Sequence, residues 1–194
     1  AALVVGPGAA VAVAIAAAVG LAAWVIVQGR LALRRLGARP AGSDFLRASH
    51  LLTELAKDLG VPVPRLWVAS AEQPNALLCR AGGPSVLLTS ALVEEYTRTE
   101  LEAVLVHCLC RCNAKDLTHA QIASAFGGLG VRLAPAVGED DDVMAASVTR
   151  YPPALASAIR KAVPMQPRWS PFWFVAERAP HRPVADRIAL LADL

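Results

Sequence analysis

"TRTELEAVLVHCLCRCNAKD", Thr97 to Asp116, is the stretch on which the fold turns. Apolar residues recur at helical spacing from Leu101 onward, and threonines and glutamates open the run. Thr97 or Thr99 can cap this helix, while Glu100 and Glu102 favour its positive N-terminal end. Further along, His107 and Arg111 lie one turn apart, with Cys108, Cys110 and Cys112 threaded between and after them. A histidine, a glutamate right after it and a second histidine four residues on make a zinc helix: two imidazoles hold the metal and the carboxylate activates water. Here only the first histidine is present. Either sulfur has rebuilt a metal site, or the site has been lost.

Residues on a helix advance by about 100° each, which lets the two readings be compared. Leu101, Val104, Leu105, Cys108 and Cys112 gather on one apolar stripe. Cys110 falls on the other side of His107. The sulfurs therefore do not converge, no CxxC spacing is present, and Cys79 lies far away in sequence. Thiolates are good zinc ligands, but free cysteine is among the most buried residue types. Core cysteines are the better reading of the stripe.

Before this helix, "PNALLCRAGGPSVLLTS" (Pro74–Ser90) reads as two short strands, Asn75–Arg80 and Ser85–Thr89, around a Gly-Gly-Pro turn. "RLWVAS" is a further strand. A helix precedes it, with Ser43 as its cap, apolar positions from Phe45 to Leu59, and Gly60 to close it. After the central helix come a small-residue helix over roughly Ala120–Leu133 and the acidic run "GEDDD" (Gly138–Asp142). A helix beginning at Pro152 follows, then the aromatic patch "WSPFWFV" and a closing helix over Pro183–Leu194. A run of carboxylates reads as a solvated loop, although it can also bind a cation. Trp169, Phe172, Trp173 and Phe174 suit either a membrane interface or plain core packing. Asn75 and Ala76 can hold an extended peptide by strand addition, or Asn75 is a turn residue. His181 reads as a structural hydrogen-bonding residue.

The chain has 194 residues and 55% hydrophobic content, but no charge at all from Ala1 to Gln28. Ala9 to Val27 is an unbroken apolar run, long enough to cross a hydrocarbon core of roughly 30 Å. A secretory signal has a shorter apolar core behind a basic leader, whereas here the arginines follow the run. We therefore expect a single membrane span through residues 9–27. Arg30, Arg34, Arg35 and Arg39 place the following domain on the cytoplasmic side of the cell membrane. Four cysteines agree with a reducing compartment. The net charge of +3 is mostly this cluster, which suits anionic headgroups. No basic stripe with interleaved aromatics appears, so no nucleic acid is expected. The division is a transmembrane segment over 1–29, a basic juxtamembrane segment and linker over 30–44, and a domain over 45–194. The chain starts without methionine, so a segment upstream of Ala1 is expected to be missing.

"PNALLCRAGGPSVLLTSALVEEYTRTELEAVLVH", "YPPALASAIRKA" and "PHRPVADRIALL" follow one another in an order that resembles the HtpX-like, CAAX-prenyl-protease-like membrane zinc metallopeptidases. The likeness runs from Phe45 to Leu194. The last segment resembles the family's closing His-x-Pro-x-x-x-Arg-Ile, through His181, Pro183, Arg187 and Ile188. The resemblance implies a mostly helical α+β chain: a transmembrane helix followed by a zincin-like domain with a small β-sheet.

It also implies where the zinc site would lie. His107 matches the family's first zinc histidine. Cys108 falls on the water-activating glutamate and Arg111 on the second histidine. The third ligand, a glutamate four residues before an aspartate, falls on Gly138 with Asp142 as that aspartate, or on Glu139 after a one-residue slip. Catalytic zinc needs three protein ligands, an open position and a base. One ligand is supplied and arginine cannot serve as another. The resemblance is therefore to a degenerate member that lacks the HExxH pattern, with no catalytic residues and no cofactor.

The expected function is that of a membrane-anchored pseudopeptidase, a binding or structural subunit of a membrane protein complex or of another protein partner. Arg111 is expected to fill the vacated pocket and pair with Asp142, or with Glu139. Two alternatives stand beside this. One is an active zinc peptidase using His107, Cys110 and Glu139. The other is a thiol redox or metal sensor built on Cys108 and Cys112.

Overall fold

The structure is a computed structural model that describes residues 7–113, 117, 119–122, 139–164, 172–177 and 181–194; of Pro7, Val25, Asn113 and Glu139 it describes the backbone alone. The described residues are mostly helical and hold one small mixed sheet.

Helix α1 spans Pro7–Arg35. It is long and apolar enough to cross a membrane, and its apolar window is buried nowhere by the rest of the chain. The helix runs through the boundary at residue 29, so Arg30, Arg34 and Arg35 ride on its last turns instead of on a linker. There it docks on the domain: Ala32 and Leu33 are buried. Gly29 makes the approach possible, because a Cβ at that position would collide with the Arg80 carbonyl.

Strands β1 (Arg39–Pro40), β2 (Arg65–Ala69), β3 (Ala76–Arg80) and β4 (Pro84–Thr89) form a sheet in the order β1-β2-β4-β3. β2 runs parallel to β4, and β3 returns antiparallel to it. The hairpin turn needs its two glycines, since Gly82 and Gly83 have φ of 92° and 153°. β3 is thus the outer strand, and its side chains Ala76 to Cys79 are all buried.

Helix α2 (Leu46–Asp58) starts after a 3-10 turn over Ser43–Phe45. Ser43 does not cap it as expected; its hydroxyl turns to Asp44, 3.4 Å away. Gly60, at φ 65°, ends the helix as expected. A short helix α3 (Ser90–Glu95) leads into α4 (Arg98–Asn113), the central helix. Thr97 is its cap and Glu100 closes a capping box: Thr97 N donates to Glu100 Oε2 at 2.8 Å, and Glu100 N donates to Thr97 Oγ1 at 3.3 Å. α4 is buried along Leu101, Val104, Leu105, Cys108 and Cys112, the stripe that the spacing gave. Helices α5 (Glu139–Thr149) and α6 (Pro152–Lys161) pack against it, and α7 (Val184–Ala192) packs on those two.

One expectation changes here, and one choice left open resolves. Glu139–Asp142 is the first turn of α5 and not a solvated loop, which accords with carboxylates favouring a helix N-terminus. Phe172, Trp173 and Phe174 are core residues, buried to within a few per cent. Trp169, Gly138 and most of the helix read over Ala120–Leu133 lie outside the described residues.

Candidate functional site

The centre of the molecule lies where α4, α5, α7 and the segment Phe172–Ala176 meet. α4 brings His107, α5 brings Asp142 and α7 brings Arg187, and all three are buried. Arg187 donates from Nε and from its terminal nitrogen to the two Asp142 oxygens, at 2.7 Å each. This is a bidentate clamp. Its other terminal nitrogen donates to the Phe174 carbonyl at 2.8 Å, and the guanidinium lies 5.4 Å over the Phe174 ring.

His107 Nδ1 lies 3.1 Å from Asp142 Oδ1. The two atoms are close enough for charge to act between them, but they do not line up as a straight hydrogen bond. The ring meets Phe174 edge-on, with centroids 5.0 Å apart. Burial lowers the imidazole's affinity for a proton, and Asp142 opposes that only in part. His107 is therefore neutral in the folded chain at neutral pH. For Asp142, burial alone would push the carboxyl up, but the bonds from Arg187 and the neighbouring His107 outweigh it and hold the group below the usual carboxylate range.

Arg111 is buried, one turn beyond His107. Its Nε lies 3.4 Å from Asp141 Oδ2, and it donates to the Trp173 carbonyl at 3.4 Å. The expected pair between Arg111 and Asp142 is thus replaced by two pairs, Arg111 with Asp141 and Arg187 with Asp142. The reason is reach: Arg187 stacks over Phe174 and presents its planar fork squarely to Asp142, whereas Arg111 meets the neighbouring, more exposed carboxylate. The Glu139 side chain lies outside the described residues.

The cysteines behave as a core. Burial pushes the thiols of Cys79, Cys108 and Cys112 up to about 12, and that of half-buried Cys110 up to about 11. All four are free thiols that keep their protons at neutral pH. Thiols raised in this way are poor nucleophiles, which speaks against a thiol sensor at Cys108 and Cys112.

The donor set can be tested against the family's zinc. His107 Nε2 is buried with no hydrogen-bond partner, as an imidazole kept for a metal would be. The rest does not fit. Cys108 is turned into the core, a guanidinium stands one turn on, and among the described residues no three His, Cys, Asp or Glu side chains are grouped to hold an ion.

The outer edge of β3 is occupied. Phe174 N donates to the Ala76 carbonyl at 2.7 Å, and Leu77 bridges antiparallel to Trp173. Asn75 staples this segment in place: its Nδ2 donates to the Val163 and Val175 carbonyls at 2.8 Å each. Its Oδ1 accepts from Ala76 N at 2.8 Å and Val175 N at 3.3 Å. Further along, the Gln121 amide both accepts from Arg80 N and donates to Arg80 O, at 3.2 Å each, as a neighbouring strand would. The edge at Asn75 and Ala76, offered by the sequence to a peptide, is therefore already paired within the chain. Asn75 is neither a turn residue nor an open peptide contact.

Sequence reasoning quoted Arg187 within a matching segment but gave it no role, and it weighed Phe174 only as an interface or core residue. The signal for Arg187 was its place as a lone cation in the apolar helix "VADRIALLA"; buried charges of that kind need a partner. His181 is buried, as a structural residue would be.

No protein-family model matches the chain. Curated proteins do. It is 33% identical over 130 residues to a protease HtpX homologue of Acidiphilium cryptum, covering 65% of this chain and 45% of that protein. A protease HtpX homologue of Pelotomaculum thermopropionicum is 29% identical over 102 residues, 51% of this chain and 36% of the relative. Protease HtpX of Legionella pneumophila is 28% identical over 105 residues, 51% and 37% of the two chains. The chain spans less than half the length of these relatives. Several such matches agree with one another and with the order of segments, and they support an HtpX-like family for the chain.

Proposed function

We propose that this chain is a membrane-anchored pseudopeptidase of its family, a zincin-like domain that has exchanged metal chemistry for a structural or binding role. Arg111 carries the reading. A guanidinium stays protonated and cannot ligate a metal, and this one stands, buried and beside Asp141, where a second zinc ligand would be needed. Cys108 supports it further, since a protonated thiol in the core cannot act as the base for a water. The partner is another membrane protein or a membrane-associated complex. It docks on a surface other than the β3 edge, which the chain's own residues fill. The arginines at the end of α1 put the domain on the cytoplasmic face.

Elemental analysis of the purified chain, together with a peptide-cleavage assay, tests the first half. The expected result is zinc well below one equivalent and no cleavage. Near one equivalent of zinc that disappears in His107→Ala would overturn the proposal. Co-purification from native membranes tests the second half, and a chain that comes out alone under mild extraction would speak against a subunit role.

A further inference from the structure

Where α1 leaves the domain it does not lie flat against it. A cavity of about 490 Å³ opens between Ala18, Leu21, Ala22 and Ile26 of the helix and the end of the β3–β4 hairpin at Arg80 and Gly83. That is the size of an ordinary small-ligand pocket. Its helix wall is wholly apolar, and its mouth is cationic. Arg80 lines the cavity, and its guanidinium carries a buried Nε with no hydrogen-bond partner, which is costly for a charged group. Arg30 reaches the same turn, where one of its terminal nitrogens would stand 3.3 Å from a Cβ at Gly82.

Depth along the helix decides what fits. From Ala18 to Arg30 is twelve residues, or about 18 Å of rise. One leaflet of a hydrocarbon core is roughly 15 Å deep. With α1 spanning the bilayer, Ala18 stands near the midplane, Ile26 near the interface and the two arginines at headgroup level. An apolar slot one leaflet deep with two guanidinium groups at its rim has the shape and charge of a single phospholipid.

We propose that this slot is a specific site for one anionic phospholipid of the surrounding bilayer. An acyl chain lies against Ala18, Ala22 and Ile26, and the phosphate accepts from Arg80 and Arg30. The lipid brings a counter-charge to the two guanidinium groups. It also fills the space between helix and hairpin, fixing the angle at which the domain meets the membrane. The proposal rests on α1 spanning the membrane, so the test separates the two claims.

The full chain, in mild detergent, is equilibrated with mixed phosphatidylcholine and phosphatidylglycerol, and retained lipid is read by native mass spectrometry. The wild type should keep one phosphatidylglycerol under conditions that strip the annular lipids. Arg80→Gln, which leaves the β3 backbone bonds intact, should lower the preference for phosphatidylglycerol roughly fivefold. Ala22→Phe, which fills the slot from an exposed helix position, should abolish retention without changing the thermal midpoint. Equal retention by all three chains, no preference between the two lipids, or a dimer joined through α1 in place of the lipid would each overturn the site. Alkaline carbonate extraction of native membranes tests the span alone. A chain that resists extraction yet shows no lipid selectivity defeats only the site, whereas a chain that is released defeats the span and the site together.

Discussion

A charge network lies against each half of α4, and the two differ in what surrounds them. At the N-terminal end Glu100 accepts from Lys161 at 2.8 Å and from Ser157 at 2.6 Å, and it closes the capping box with Thr97. Lys161 there is 40% exposed, so water screens the pair. At the far end Asp142 and Arg187 are sealed away, at 0% and 1% exposure. The first network can lose a partner to solvent. The second cannot, because each charge it holds would be left bare in an apolar surround. Position along one helix thus separates an adjustable cap from an obligatory clamp.

The largest expected effect is therefore at the clamp. Arg187→Met should destabilise the domain by about 3–5 kcal/mol, the usual cost of leaving one buried charge unpaired. Removing both charges, Arg187→Met with Asp142→Leu, should recover much of that loss. Chemical denaturation of the full chain in detergent measures both, and a double variant as unstable as the single would show that the clamp contributes more than charge balance. Next comes Asn75→Ala. It takes away the partner of the Val163 and Val175 carbonyls and of the Ala76 and Val175 N–H groups, and about 3 kcal/mol is expected. Protease sensitivity near Trp173 should rise with it, since the staple on the β3 edge is gone. Arg111→Ala should follow at about 1–2 kcal/mol, because Asp141 is partly exposed and can turn to water. A lysine there should rescue only in part, for want of the planar fork.

How much of this could be read beforehand depends on how local the signal is. The strands at Arg65, Asn75 and Ser85, the helix from Thr97 and the stripe ending at Cys112 are written in alternation and helical spacing within a few residues. The family resemblance implied that Cys108 and Arg111 fall where a base and a ligand would be. It did not show which carboxylate each arginine takes. Arg187 and Asp142 are 45 residues apart, and only packing against Phe174 selects that pair over Arg111. Nor did "GEDDD" declare itself a helix start, since four carboxylates suit a loop as well as a positive helix end. The occupied β3 edge was hidden for a similar reason. Nothing in "FWFV" distinguishes an aromatic patch facing lipid from one laid along a strand.

The smallest effect, and the one that sharpens the comparison most, is at Glu100. Burial alone would raise its carboxyl, but the bonds from Lys161, Ser157 and Thr97 bring it down to about 2 from an ordinary 4.5. A carboxyl whose folded value is depressed contributes stability that is fully present above the ordinary value and drains away as pH falls toward the folded one. The cap should thus stabilise the domain undiminished at neutral pH and weaken progressively from about pH 4.5 to about pH 2. Glu100→Gln keeps the shape and most of the bonds while removing the charge. It should cost about 1–2 kcal/mol at neutral pH, and that difference from the wild type should shrink across the same acid window. Lys161→Ala should cost only about 0.5 kcal/mol, and less in high salt, because its end of the pair is already in water. Denaturation midpoints measured against pH for the three chains give the answer. A Glu100→Gln deficit that stays constant from neutral pH down to pH 2 would mean that the carboxylate's charge does nothing for α4, and that the cap works through its hydrogen-bond geometry alone.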